Sequence, residues 1–125
     1  MTVVHEWADK AEADYKAAVA LNRRRKEPLP DIVCYHCQQS AEKYLKAYLI
    51  AQGVAPPRIH DLVQLLNLAV LHDATFSARR PLTQALNPYG VMFRYPGMSA
   101  SEVEARDAVR TMRRLRAFLR RKLGL

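Results

Sequence analysis

Residues 31–52 read DIVCYHCQQSAEKYLKAYLIAQ. Cys34, Cys37, Ala41, Tyr44, Leu45, Tyr48 and Leu49 recur at spacings of three and four, which puts them on one stripe of an α-helix. Gln39, Glu42, Lys43 and Lys46 fall off that stripe. An amphipathic helix gains its stability by burying such a stripe against other elements. The fold therefore depends on what the rest of the chain offers to cover it.

Upstream, an Ala-rich helix is expected over residues 5–24, with Trp7, Ala11, Ala18 and Leu21 near one face. Arg23, Arg24, Arg25 and Lys26 follow at its C-terminal end, where positive charge suits the helix dipole. They could also form a phosphate-facing patch, but a solvated helix end is the better reading. Pro28 and Pro30 stop the helix, and Asp31 is a candidate N-cap for the central one. Gly53 ends the central helix, and Ala55 to Arg58, with two prolines between them, reads as a rigid connector.

Downstream, His60-Asp61 opens a third helix carrying Leu62, Leu65, Leu66 and Ala69 at helical spacing, and His72-Asp73 marks its end. A shorter helix is expected over residues 77–86, ended by Asn87-Pro88 and Gly90. The segment 89–97, YGVMFRYPG, sets apolar and aromatic residues around Arg94. The last helix starts at Ser99 or Ser101, each of which has a glutamate three residues on, the capping-box pattern. Ala105, Ala108, Val109, Met112, Leu115, Leu119 and Leu123 form its core face, while Arg106, Arg110, Arg113 and Arg120 line another. No stretch alternates long enough to make a strand. The fold class is all-α: an up-and-down bundle of four long helices plus a short extra one, in a single domain spanning residues 1–125.

The 125 residues are 50% hydrophobic and 26% charged, which excludes a disordered chain. No apolar run is long enough to span a membrane, and the N-terminal MTVVHEWADKAEADYK has no signal-peptide pattern. A cytoplasmic location is the expectation. The net charge of +8 favours polyanionic partners such as nucleotides or RNA. Residues 100–125 hold eight basic and three acidic residues, so most of that excess sits on the last helix.

Three chemistries come into question. Cys34-Tyr35-His36-Cys37 has redox spacing, but no strand precedes it and only two cysteines are available for zinc. Both cysteines lie on the apolar stripe, so core packing is the better reading and no metal or cofactor is expected. Nucleophile-elbow, metalloprotease and phosphate-cradling glycine motifs are all missing from the sequence. What remains is a polar set, Lys43, Lys46, His60, Asp61, Arg94 and Tyr95, that could bind a ligand: Lys and Arg a phosphate, Tyr95 a base. The same residues could instead serve as helix caps, surface pairs and turn anchors.

The order Gln38-Gln39-Ser40-Ala41-Glu42-Lys43-Tyr44-Leu45-Lys46-Ala47, Gly53, Ile59-His60-Asp61-Leu62 with Leu65-Leu66, and Arg94-Tyr95-Pro96 resembles the HEPN domain family over nearly the whole chain. That resemblance implies a helical bundle that commonly forms homodimers. It also implies a minimal nucleotidyltransferase as partner, often in a toxin–antitoxin pair. Another branch of the family consists of metal-independent ribonucleases carrying Arg, four to six residues, then His. In such a site His does acid–base work while Arg holds the phosphate. Here no arginine stands at that distance before His36, His60 or His72, and none precedes His5. The tyrosine that some nucleotidyltransferases modify is missing with it. The expectation is a dimerising, nucleotidyltransferase-partnering module that binds nucleotide at the polar set. The alternative is an RNA-binding or RNA-cleaving protein that uses Arg106, Arg110, Arg113 and Arg120.

Overall fold

The computed structural model describes residues 2–55 and 58–125. Five α-helices follow in order: α1 (Val3–Asn22), α2 (Pro30–Ala51), α3 (Leu62–Val70), α4 (Arg80–Leu86) and α5 (Glu102–Lys122). Short 3-10 turns at Ala74–Arg79 and Asn87–Gly90 flank α4. No strand occurs among the described residues. No helix in them is long and apolar enough to cross a membrane.

α2 is the spine. Thirteen of its 22 residues are buried, too many for a helix covered on one side only. α1 lies along one flank, where Ala8, Ala11 and Ala18 are buried and small enough to let the backbones approach. Ser40 Oγ donates to the Ala11 carbonyl at 2.8 Å across that seam. α5 covers a second flank with Ala105, Ala108, Val109, Met112, Leu115 and Leu119, the predicted core face, plus Phe118. Leu123 is only partly buried. Phe76, from the 3-10 turn, fills the space between α2 and α5. Its ring centroid lies 4.4 Å from Tyr48 and 4.8 Å from Phe118, in the tilted and edge-on arrangements that aromatic quadrupoles favour.

Several boundaries differ from expectation for identifiable reasons. α1 starts at Val3 because Thr2 caps it, accepting from His5 N. α2 begins at Pro30, whose fixed φ suits the first helical position. Asp31 is therefore inside the helix and is not its cap; its Oδ1 accepts from Ala100 N at 2.6 Å, tying α5's lead-in to the start of α2. α3 has nine residues and is not a long helix, so the bundle has three long and two short helices. The single helix expected over 77–86 is split: Asp73 caps a 3-10 turn, and Pro81, which has no N–H to continue it, starts α4 afresh. Ser101, not Ser99, caps α5, with both hydrogen bonds of a capping box to Glu104. Of the expected connector 55–58, Pro56 and Pro57 lie outside the described residues.

Candidate functional site

Glu42 and Lys46, one turn apart on α2, both point inward. Their side chains are 7% exposed and Lys46 Nζ sits 3.2 Å from Glu42 Oε2. Trp7 of α1 closes over the ammonium, its ring centroid 5.8 Å away. The same carboxylate oxygen lies 3.1 Å from His60 Nδ1, at the mouth of a cleft. A carboxylate at Nδ1 favours the tautomer with its proton there and leaves Nε2 free to accept. The His60 side chain is 80% exposed, so that nitrogen is available to a ligand.

One turn before Glu42, Gln38 is buried and fully used. Its Nε2 donates to the His60 carbonyl at 3.3 Å and faces Glu42 Oε1 at 3.4 Å, and its Oε1 accepts from Gln39 at 2.7 Å. Gly90 makes room for it: a Cβ at Gly90 would sit 3.0 Å from the Gln38 amide carbon. Asp61 Oδ1 caps α3 through the N–H groups of Val63 and Gln64, and Asn87 Oδ1 accepts from Leu62 N at 2.8 Å. Caps and ligand-facing groups thus occupy the same few residues.

These elements enclose a cleft of about 620 Å³. Tyr35, Gln38, Gln39 and Glu42 line it from α2, with His60 and Asp61 before α3 and Asn87, Pro88, Gly90, Val91 and Arg94 completing the wall. Arg94 leans toward Tyr35, its guanidinium carbon 5.9 Å from the ring centroid. Of the predicted polar set, His60, Asp61 and Arg94 share this cleft, and Lys46 stands behind it through Glu42. Lys43 points to the α1 side, where its Nζ meets Asp14 at 2.6 Å beside His36. Tyr95 is 73% exposed and lies outside the lining. Sequence reasoning missed Tyr35, Gln38 and Asn87 as lining residues. Gln38 was visible in the quoted motif, but its partners there, the His60 carbonyl and the space beside Gly90, are far away in sequence.

The arginines of α5 divide into two groups. Arg116 makes a bidentate pair with Glu12 of α1, which holds that carboxyl at about 2, well below the usual range, and raises the guanidinium's own pKa. Arg120 is half-buried and donates to Tyr44 Oη, which in turn donates to Glu12. Lys122 pairs with Asp73 at 2.6 Å. Arg106, Arg110 and Arg113 are exposed; Arg110 reaches Asp107 at 3.4 Å and Arg113 reaches Tyr15 Oη at 3.3 Å.

Cys34 and Cys37 are fully buried, and burial pushes both thiols up to about 12. No group of three or more potential metal-ligating side chains occurs among the described residues.

The comparisons agree with this architecture. No curated protein matches the chain. Among solved structures, TT1696 from Thermus thermophilus is similar at a TM-score of 0.80 with 22% identity, covering 98% of this chain and 99% of that one. ST0689, described as an archaeal HEPN homologue, is similar at a TM-score of 0.74 with 22% identity, covering 96% and 97%. At that identity the likeness speaks for the fold. The family model described as "HEPN domain" matches residues 4–122, and the chain belongs to the HEPN family.

Proposed function

We propose that this chain is a HEPN interaction module that forms a homodimer, partners a minimal nucleotidyltransferase in a toxin–antitoxin-like pair, and binds nucleotide in the Arg94 cleft. The observation that supports it most is the convergence of His60, Asp61 and Arg94 on one cleft backed by the buried Glu42–Lys46 pair. Arg94 supplies a cation for phosphate and Tyr35 an aromatic face for a base. A buried ion pair holds the His60 side of the cleft in one geometry, as a binding site requires. A ribonuclease role has less support, since no histidine stands at the family's distance after an arginine.

Self-association has its own support. Seven of the ten large apolar residues that stay exposed among the described residues come from two neighbouring segments: Leu29 and Ile32 at the start of α2, and Val91, Met92, Tyr95, Met98 and Val103. The Asp31–Ala100 hydrogen bond holds those segments together. A clustered apolar patch of this kind marks a protein–protein face.

Calorimetric titration with ATP and GTP, on the wild type and on Arg94→Ala, tests the cleft. Micromolar binding reduced at least tenfold by the substitution is expected; equal affinity of both proteins would contradict the assignment. Co-purification with a nucleotidyltransferase encoded beside the gene tests the partner. A chain that stays separate from such an enzyme would remove that part of the proposal.

A further inference from the structure

A second cleft, of about 560 Å³, opens at the C-terminal end of α1. Its walls are the end of α1 and the following turn, the first residues of α2, and the start of α5. Arg23, Arg24, Arg25 and Arg106 line it, against a single carboxylate, Glu102. Arg24 is tied down by the Lys26 carbonyl at 2.8 Å and Glu27 at 3.4 Å. Arg23, Arg25 and Arg106 line the cleft and make no ion pair or hydrogen bond through their side chains with any described residue. The turn that gathers them is tight: Glu27 adopts a left-handed backbone at φ 49°. Leu21, Pro28, Leu29 and Ala105 give the cleft an apolar component. At its wall stands the N-terminus of α2, which has no side-chain cap because Leu29 holds the cap position.

We infer that this cleft binds the polyphosphate group of a small anion, of the pyrophosphate or triphosphate type. Four arginines line one cleft against a single carboxylate, and a compact, multiply charged anion is the ligand that several of them can neutralise together. A nucleic-acid strand would need the positive track to continue beyond the cleft. Along α5 that track meets the carboxylate of Asp107, which engages Arg110 at 3.4 Å. The cleft is lined by none of the Arg94-site residues, so it is a separate site from the one in the proposed function.

Isothermal titration with sodium tripolyphosphate, pyrophosphate and orthophosphate tests this directly. Affinity should rise with phosphate number and fall with added salt. The double variant Arg25→Glu/Arg106→Glu should lose at least tenfold in tripolyphosphate affinity. Glu102→Gln should gain about threefold, a change that partial unfolding cannot mimic. Arg121→Glu, the same charge change at the far end of α5, should leave affinity unchanged. ATP measured in an Arg94→Ala background distinguishes the sources. Binding tighter than tripolyphosphate assigns a nucleotide, and equal binding assigns the polyphosphate group alone. Equal losses in Arg121→Glu and the cleft variant, no gain in Glu102→Gln, or tighter binding of a twelve-residue single-stranded RNA than of tripolyphosphate would overturn the inference.

Discussion

Glu42 and Lys46 form an ion pair inside the bundle, 3.2 Å apart with both side chains 7% exposed, and the outer oxygen of that pair also meets His60. By sequence spacing they fit a surface pair one helical turn apart, or Lys46 a contact to a ligand. Removing one partner of a buried pair leaves the other charge without compensation, at a cost of about 3–5 kcal/mol. Lys46→Met alone should therefore lower the unfolding free energy by that order in urea titrations. The double variant Glu42→Gln/Lys46→Met should recover much of the loss. A single variant as stable as wild type would show that the pair is not desolvated.

Glu12 and Arg116 make stability depend on acid. The folded pKa of Glu12, about 2, lies below its ordinary 4.5. A depressed carboxylate contributes stability that is fully present above the unfolded pKa and is lost as pH falls through the folded one. The loss should thus run from about pH 5 down to pH 2, on the order of 2 kcal/mol after allowing for partial exposure. Thermal melts across that window should be steeper in pH for wild type than for Glu12→Gln. Identical slopes would place the acid sensitivity elsewhere.

Cys34 and Cys37 should behave as core residues. With both thiols pushed up to about 12 and both side chains buried, little thiolate exists at pH 8. Ellman's reagent should react slowly in native buffer and completely in denaturant. Rapid native reaction, or stoichiometric zinc after purification, would contradict that reading.

Gly90 links the two walls of the Arg94 cleft. Gly90→Ala brings a methyl group to 3.0 Å from the Gln38 amide, which must give by a few tenths of an ångström and strains its bond to the His60 carbonyl. A stability loss of about 1 kcal/mol is expected. ATP affinity should fall by more than that stability change accounts for. Unchanged affinity would mean that Gln38 does not shape the binding cleft.

The sequence carried the helices well because their apolar periodicity, proline stops and serine or aspartate caps are local signals. Ser101 with Glu104 and Asp61 before Leu62 are legible in a few residues. The site was less legible, because burial of polar groups is decided by distant partners. Gln38 packs against residue 90, where no side chain stands, and bonds the His60 carbonyl, and Arg120 is drawn from the basic face to the Tyr44 hydroxyl. Pro81 was readable, yet its effect of splitting one expected helix into a 3-10 turn and α4 depended on Asp73 capping the segment before it.

Light scattering on the purified chain after size exclusion is the most direct check on the proposed role, because a HEPN module acting through partners must first present its apolar face to one. At micromolar concentration the expected mass is twice that of the chain. Val91→Glu/Met92→Glu should reduce it to one chain while the circular dichroism melt stays close to wild type. A wild-type monomer at those concentrations, or a double variant that remains dimeric, would contradict it.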